Sequence, residues 1–193
     1  QDGDIELVAG DLVIENNDAT RGNQIEITGS GSLVLLPGAG TTVALGGGAA
    51  VGAFALDDVE LEQIDVPAVR IGGDGSTLSG DPVGAVRLDR ADFGTAALTI
   101  ISDADIADVG PKPPPPDAWH LRAGAVRLAS VTGVGATGNS LDTAIASLDA
   151  QTSGAGGIFI DETDDLLLGV NAPITTGAAN EEIRVTTTGG PLT

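Results

Sequence analysis

The sequence predicts an all-β protein, a parallel β-helix (β-solenoid) built from short strands, and three observations lead there. Apolar residues recur in pairs one residue apart, the period of a strand with one buried face. Glycine, 29 of 193 residues, is dispersed between these pairs, so that bends punctuate the chain every few residues. Aromatics are nearly absent, with three Phe, one Trp and no Tyr. A β-sandwich of this length would bury several aromatics and use two-residue hairpin turns, of which Asp74-Gly75 is the one interior example. A solenoid needs only a narrow column of Val, Ile and Leu stacked on like residues, with Ala, Gly, Ser and Thr at its corners.

Taken in order, the pairs begin with Ile5/Leu7 and Leu12/Ile14, which recur as Ile25/Ile27 and Leu33/Leu35. That offset of about 20 residues is one coil of a solenoid, on the order of the repeat lengths such folds use. Val43/Leu45, Val59/Leu61, Val69/Ile71, Val86/Leu88 and Leu98/Ile100 follow at uneven distances, then Val126/Leu128, Ile158/Ile160, Leu166/Leu168 and Ile183/Val185. Residues 1–193 therefore read as one solenoid domain with two interruptions. The first is a Pro-rich loop over 111–118, where PKPPPP removes the backbone donors a ladder needs. The second is a short helix near 140–150, because Leu141, Ile145 and Leu148 share one helical face and Asn139 or Ser140 can cap it.

Charge and composition narrow the function. With 28 Asp and Glu against 8 Lys and Arg the net charge is −20, and seven Arg plus Lys112 cannot form the basic face that a nucleic acid requires. No Cys is present, which removes disulfides and thiolate metal sites. The longest apolar run, Ala96 to Ile101 with one Thr, is far too short to span a bilayer as a helix. A chain without Met that starts at Gln1 reads as a processed piece of an exported precursor.

Chemistry-bearing residues are few. A Ser/His/Asp centre has only His120 as its base, set beside a proline tract that would not hold it rigidly. Arg87 and Arg90, flanking Asp89 and near Asp92, form the one mixed acid–base group for a glycosidase or lyase, and they read more simply as a surface ion-pair group. The expectation is that the chain is not an enzyme. Crowded carboxylates suggest Ca²⁺ instead, since a hard cation relieves their repulsion. Asp161, Glu162, Asp164 and Asp165 make one such run, and Asp103 and Asp105, followed by Asp108, make another. Gly72 to Thr77 resembles the start of a calcium-binding nonapeptide, with Thr77 where the ligand Asp should stand. The competing reading is an acidic, solvated surface suited to high salt.

The run from Gly138 to Gly169, together with Leu98 to Asp108, resembles the repeat units of large bacterial surface exoproteins of the filamentous haemagglutinin-like, β-strand-repeat type. Leu141-Asp142-Thr143, Ile158/Ile160, the acidic stretch Asp161 to Asp165 and Leu166/Leu168 follow the order of that unit. The Asn-Pro-Asn motifs of the family's secretion domain have no counterpart here. The resemblance implies a parallel β-helix exported to the bacterial cell surface as a stalk, adhesin or fibre. Copies of the chain itself, adjoining solenoid segments and surface glycans are the partners to expect. Open strand edges at Ile5, Leu7, Leu12 and Ile14 and at Ile183 and Val185 would carry strand addition, and Trp119 would anchor its loop or offer a stacking face.

Overall fold

Each short alternating run has one apolar side to bury, and the chain buries these sides by stacking its strands in parallel, coil upon coil. The computed structural model describes residues 3–14, 24–47, 54–73, 82–115 and 118–193. Its first strands are β1 (Ile5–Val8), β2 (Ile25–Glu26), β3 (Leu33–Leu36), β4 (Val43–Gly46) and β5 (Phe54–Leu56). Helix α1 (Asp58–Leu61) precedes β6 (Ile64–Asp65), β7 (Ala68–Ile71), β8 (Val86–Asp89) and β9 (Ala91–Asp92). Then come β10 (Ala97–Ile101), β11 (Asp105–Asp108), β12 (Leu121–Ser130) and β13 (Gly133–Val134). The last four are β14 (Leu141–Thr152), β15 (Ile158–Glu162), β16 (Leu167–Leu168) and β17 (Ile183–Thr187).

Fifteen of these strands join one sheet that winds round the molecule, and β2 pairs separately with β6. One column stacks β1, β3, β7, β10, the second half of β12, the second half of β14 and β16. Another stacks β5, β4, β8, β11, β13, β15 and β17. A third joins β9 to the first half of β12 and that to the first half of β14. Among the described residues every pairing between these strands is parallel, as the β-helix expectation requires. In the first column Leu35, Ile71, Ile100, Leu128 and Ala150 lie in register and are all buried. Each such Leu or Ile side chain contributes about 1.5–3 kcal/mol by leaving water, and Ala150 less.

The coil length differs from the expected one. Ile5 pairs with Leu33 and Ile25 with Ile64, so the early pairs do not stack on one another at 20 residues. The spacing within the first column is 36 residues from Leu33 to Val69 and falls to 20 from Leu148 to Leu168. Extra residues enter as loops between columns, where added length costs little closure entropy.

The helix expected near 140–150 is a strand. β14 is the longest strand described, hydrogen-bonded to β12 on one side and to β15 and β16 on the other. Leu141, Thr143 and Ile145 alternate inward, and after a corner Leu148, Ala150 and Thr152 do so in the opposite phase. That one-residue phase shift brings Ile145 and Leu148 three apart and imitates helical spacing. β12 turns the same corner between Ala123 and Val126. The Val59/Leu61 pair, read as strand, lies in α1, where Asp57 and Glu60 form a reciprocal capping box that favours the helical turn.

Glycine matters most where coils crowd at a corner. Gly156 has a φ of 143°, and a Cβ there would collide with the Thr132 carbonyl of the preceding coil.

The Pro-rich loop is present as expected: after β11 the chain leaves the ladder and rejoins it at β12. Gln1, the Asp74–Gly75 turn with Ser76 and Thr77, and Pro116 and Asp117 lie outside the described residues.

Candidate functional site

The insertion between β11 and β12 assembles a polar cluster from its own two stems. Asp108 is the last residue before the chain departs, in register with the core residue Leu88. His120 stands immediately before β12, and its N–H donates to the Asp142 carbonyl of the next coil at 2.9 Å. Parallel register thus brings Asp108, His120 and Asp142 together, and all three are buried.

His120 is 1% exposed, with Nδ1 3.2 Å from Asp108 Oδ2 and 3.5 Å from Asp142 Oδ2. Neither approach is aligned as a hydrogen bond, so this buried nitrogen has no hydrogen-bond partner. The other oxygen of each carboxylate is held from outside. Asn139 Nδ2 donates to Asp108 Oδ1 at 2.7 Å, and Lys112 Nζ, from the Pro-rich loop, reaches Asp142 Oδ1 at 2.6 Å. Burial pushes the Asp108 carboxyl above its ordinary range, opposed by the charge of His120, the Asp142 N–H and Asn139, while the Asp142 carboxylate adds to the rise.

His120 is thus enclosed, with its backbone N–H tied to β14 at Asp142, although it closely follows the proline tract. Flanking strands rather than the loop fix it, and this could not be read from its immediate neighbours. Trp119 beside it is also buried, at 8% exposure, and anchors the loop's return with little ring face left for a partner.

The residues expected to hold Ca²⁺ do not bring three ligand atoms together, and Asp161 lies beside the cluster, in register with Asp142 on the neighbouring strand. Glu162 is fully buried at the end of β15. Its Oε2 accepts from Thr143 Oγ1 at 2.7 Å and the Ile145 N–H at 3.1 Å, and its Oε1 accepts from the N–H groups of Thr163 and Asp164. Burial raises the pKa of this carboxyl, and the Thr143 hydroxyl and the three backbone donors pull it back in part. Asp161 accepts from the Thr186 hydroxyl of the next coil, while Asp164 and Asp165 are exposed. Asp103 is exposed, and Asp105 forms a two-pronged ion pair with Arg87 at 2.8 and 3.1 Å. Among the described residues, Asp108, His120 and Asp142 are the one group that brings three potential ligand atoms within 4.8 Å of each other.

The acid–base group expected around Arg87 does not form. Arg87 turns to Asp105 on the neighbouring coil, and Asp92 pairs with Arg122 at 3.3 Å. Cross-coil register, not sequence proximity, chooses these partners. An open groove of about 660 Å³ runs beside α1, lined in part by Glu62, Arg90, Asp92, Phe93, Trp119 and Arg122.

The edge residues are found where the coil ends. Ile5 and Leu7 are half-buried in β1, whose one partner among the described residues is β3; Leu12 is half-buried and Ile14 buried. Ile183 is exposed and Val185 half-buried in β17, whose one strand partner among the described residues is β15. No helix among the described residues is long and apolar enough to cross a membrane. No protein family, curated protein or solved structure matches this chain.

Proposed function

We propose that this chain is a structural section of a bacterial surface fibre or adhesin, a solenoid outside the cell that joins end to end with other copies by strand addition. The supporting observation is where apolar surface stays exposed. Of the large hydrophobic side chains left in solvent, Val8 and Val13 belong to the first coil, and Leu167, Val170, Ile183 and Leu192 to the last. Among the described residues the flanks between carry Val59 and Val109 alone. A parallel stack presents unpaired N–H and C=O groups along its terminal strands, and apolar residues beside them favour another coil over water. The acidic flanks, part of a net charge of −20, keep such rods from associating sideways.

Electron microscopy of the purified protein, with and without a calcium chelator, tests this. Thin unbranched filaments are expected, shortened by Ile183→Lys, which puts a charge on the open edge of β17. Dispersed particles at all concentrations would overturn self-assembly. Filament loss in chelator, restored by Ca²⁺ and not by Zn²⁺, would show that assembly needs Ca²⁺.

A second reading, a Ca²⁺-dependent polysaccharide-binding module, draws on the groove beside α1, where Asp58, Glu62, Asp65 and Asp92 outnumber Arg90 and Arg122, so that an acidic glycan would need a bound cation to enter. Binding of acidic glycans by dispersed particles, weakened by Arg122→Ala, would favour it.

A further inference from the structure

We propose that Asp108, His120 and Asp142 bind one divalent transition-metal ion of the Zn²⁺ kind, which staples the two stems of the Pro-rich insertion to the next coil. Spacing is the first argument. A tetrahedral ion with bonds of about 2.0–2.1 Å separates its ligand atoms by roughly 3.3 Å. His120 Nδ1 lies 3.2 Å from one carboxylate oxygen and 3.5 Å from the other. Two of the three separations thus match such an ion, and all three atoms lie within 4.8 Å of one another.

The second argument is the nitrogen itself. A buried imidazole nitrogen normally finds a hydrogen bond, because leaving it without one costs about 1–3 kcal/mol. Here Nδ1 is flanked by two oxygens and hydrogen-bonded to neither. A metal ion uses the nitrogen lone pair and both oxygens at once.

The third argument is the outer layer. Each carboxylate keeps one oxygen toward His120 and has the other fixed by a separate donor, Asn139 for Asp108 and Lys112 for Asp142. Outer donors of this sort orient metal-binding carboxylates and are lacking in a loose acidic patch. Charge agrees: the two carboxylates that face the imidazole have the single ammonium of Lys112 beside them, so the pocket is one that attracts a cation. The imidazole selects the metal class, since Ca²⁺ takes oxygen ligands and nitrogen suits Zn²⁺ and its neighbours. Asp161 of the acidic run stands in register with Asp142 but its carboxylate accepts from the Thr186 hydroxyl, and the site does not depend on the surface-fibre reading.

The test is titration of chelator-stripped, folded protein with ZnCl₂ by calorimetry, alongside Co²⁺ binding followed by visible absorption. One Zn²⁺ per chain is expected, with Ca²⁺ unable to compete. Asp142→Asn and His120→Gln should weaken binding about 100-fold or more, and Asn139→Ala about 10-fold, the loss typical of an outer-layer partner. Asn139 is exposed, so its variant keeps the fold and decides the matter even if a buried variant unfolds. Absence of stoichiometric binding by the wild type would overturn the proposal. So would equal affinity in wild type, Asp142→Asn and Asn139→Ala, which would put the ion on the acidic surface, or displacement of Zn²⁺ by equimolar Ca²⁺.

Discussion

Two kinds of inward lane run along this solenoid, and they differ in what their length demands of the sequence. In the first column Leu7, Leu35, Ile71, Ile100, Leu128 and Ala150 continue from coil to coil without a polar residue. On the other sides the lanes change character part-way. Leu56, Leu45 and Leu88 give way to Asp108, and Ala91 and Leu121 give way to Thr143 and Glu162. The aliphatic lane needs only like on like, since dispersion and burial have no direction. A polar lane is tolerable only where named donors meet each buried oxygen, so its residues depend on one another across coils.

The largest effect should come from breaking the continuous lane. Ile100→Ala leaves a cavity between Ile71 and Leu128 and should lower unfolding stability by about 2–5 kcal/mol, read from the midpoint of denaturant unfolding. Next comes Thr143→Val, which keeps the volume but removes the hydroxyl donor to Glu162. A loss of about 1–3 kcal/mol is expected by the same measurement, the cost of a buried acceptor left short of a partner. A neutral result there would mean that the lane tolerates polarity without pairing.

Acidity sharpens the comparison. Because burial lifts the Glu162 carboxyl above its ordinary 4.5, the folded protein holds this proton at a pH where the unfolded chain has released it. The stability linked to Glu162 is therefore complete below 4.5, falls as pH rises through the folded value, and is flat beyond it. Wild type measured against Glu162→Gln across this range should show that decline, while the all-aliphatic lane contributes no slope. A difference that rose with pH would mean that the four donors outweigh burial. The smallest effect belongs to the surface: Arg87→Ala removes a partly exposed ion pair with Asp105 and should change stability by no more than about 1 kcal/mol, less in high salt.

Legibility followed the same division. Leu33/Leu35, Val69/Ile71 and Leu98/Ile100 were readable as strands because the inward lane imposes its period on each segment separately. The cluster of Asp108, His120 and Asp142 was not readable, since its members are brought together by the cross-coil register of β12 on β14 and by a loop that leaves and returns. A weak signal existed: a lone His beside a lone Trp at the return of a proline tract, with Lys112 inside that tract.

By itself the sequence determined the all-β class, the parallel stacking, the aliphatic core and the position of the Pro-rich interruption, because all of these follow from local alternation and composition. Only the tertiary structure decided which pair stacks on which, that residues 141–152 turn a corner as a strand, and which carboxylates are buried. The physical reason is that loop length between coils costs so little that spacing along the chain barely constrains register. A one-residue phase shift at a corner likewise imitates a helix until a neighbouring coil supplies its hydrogen bonds.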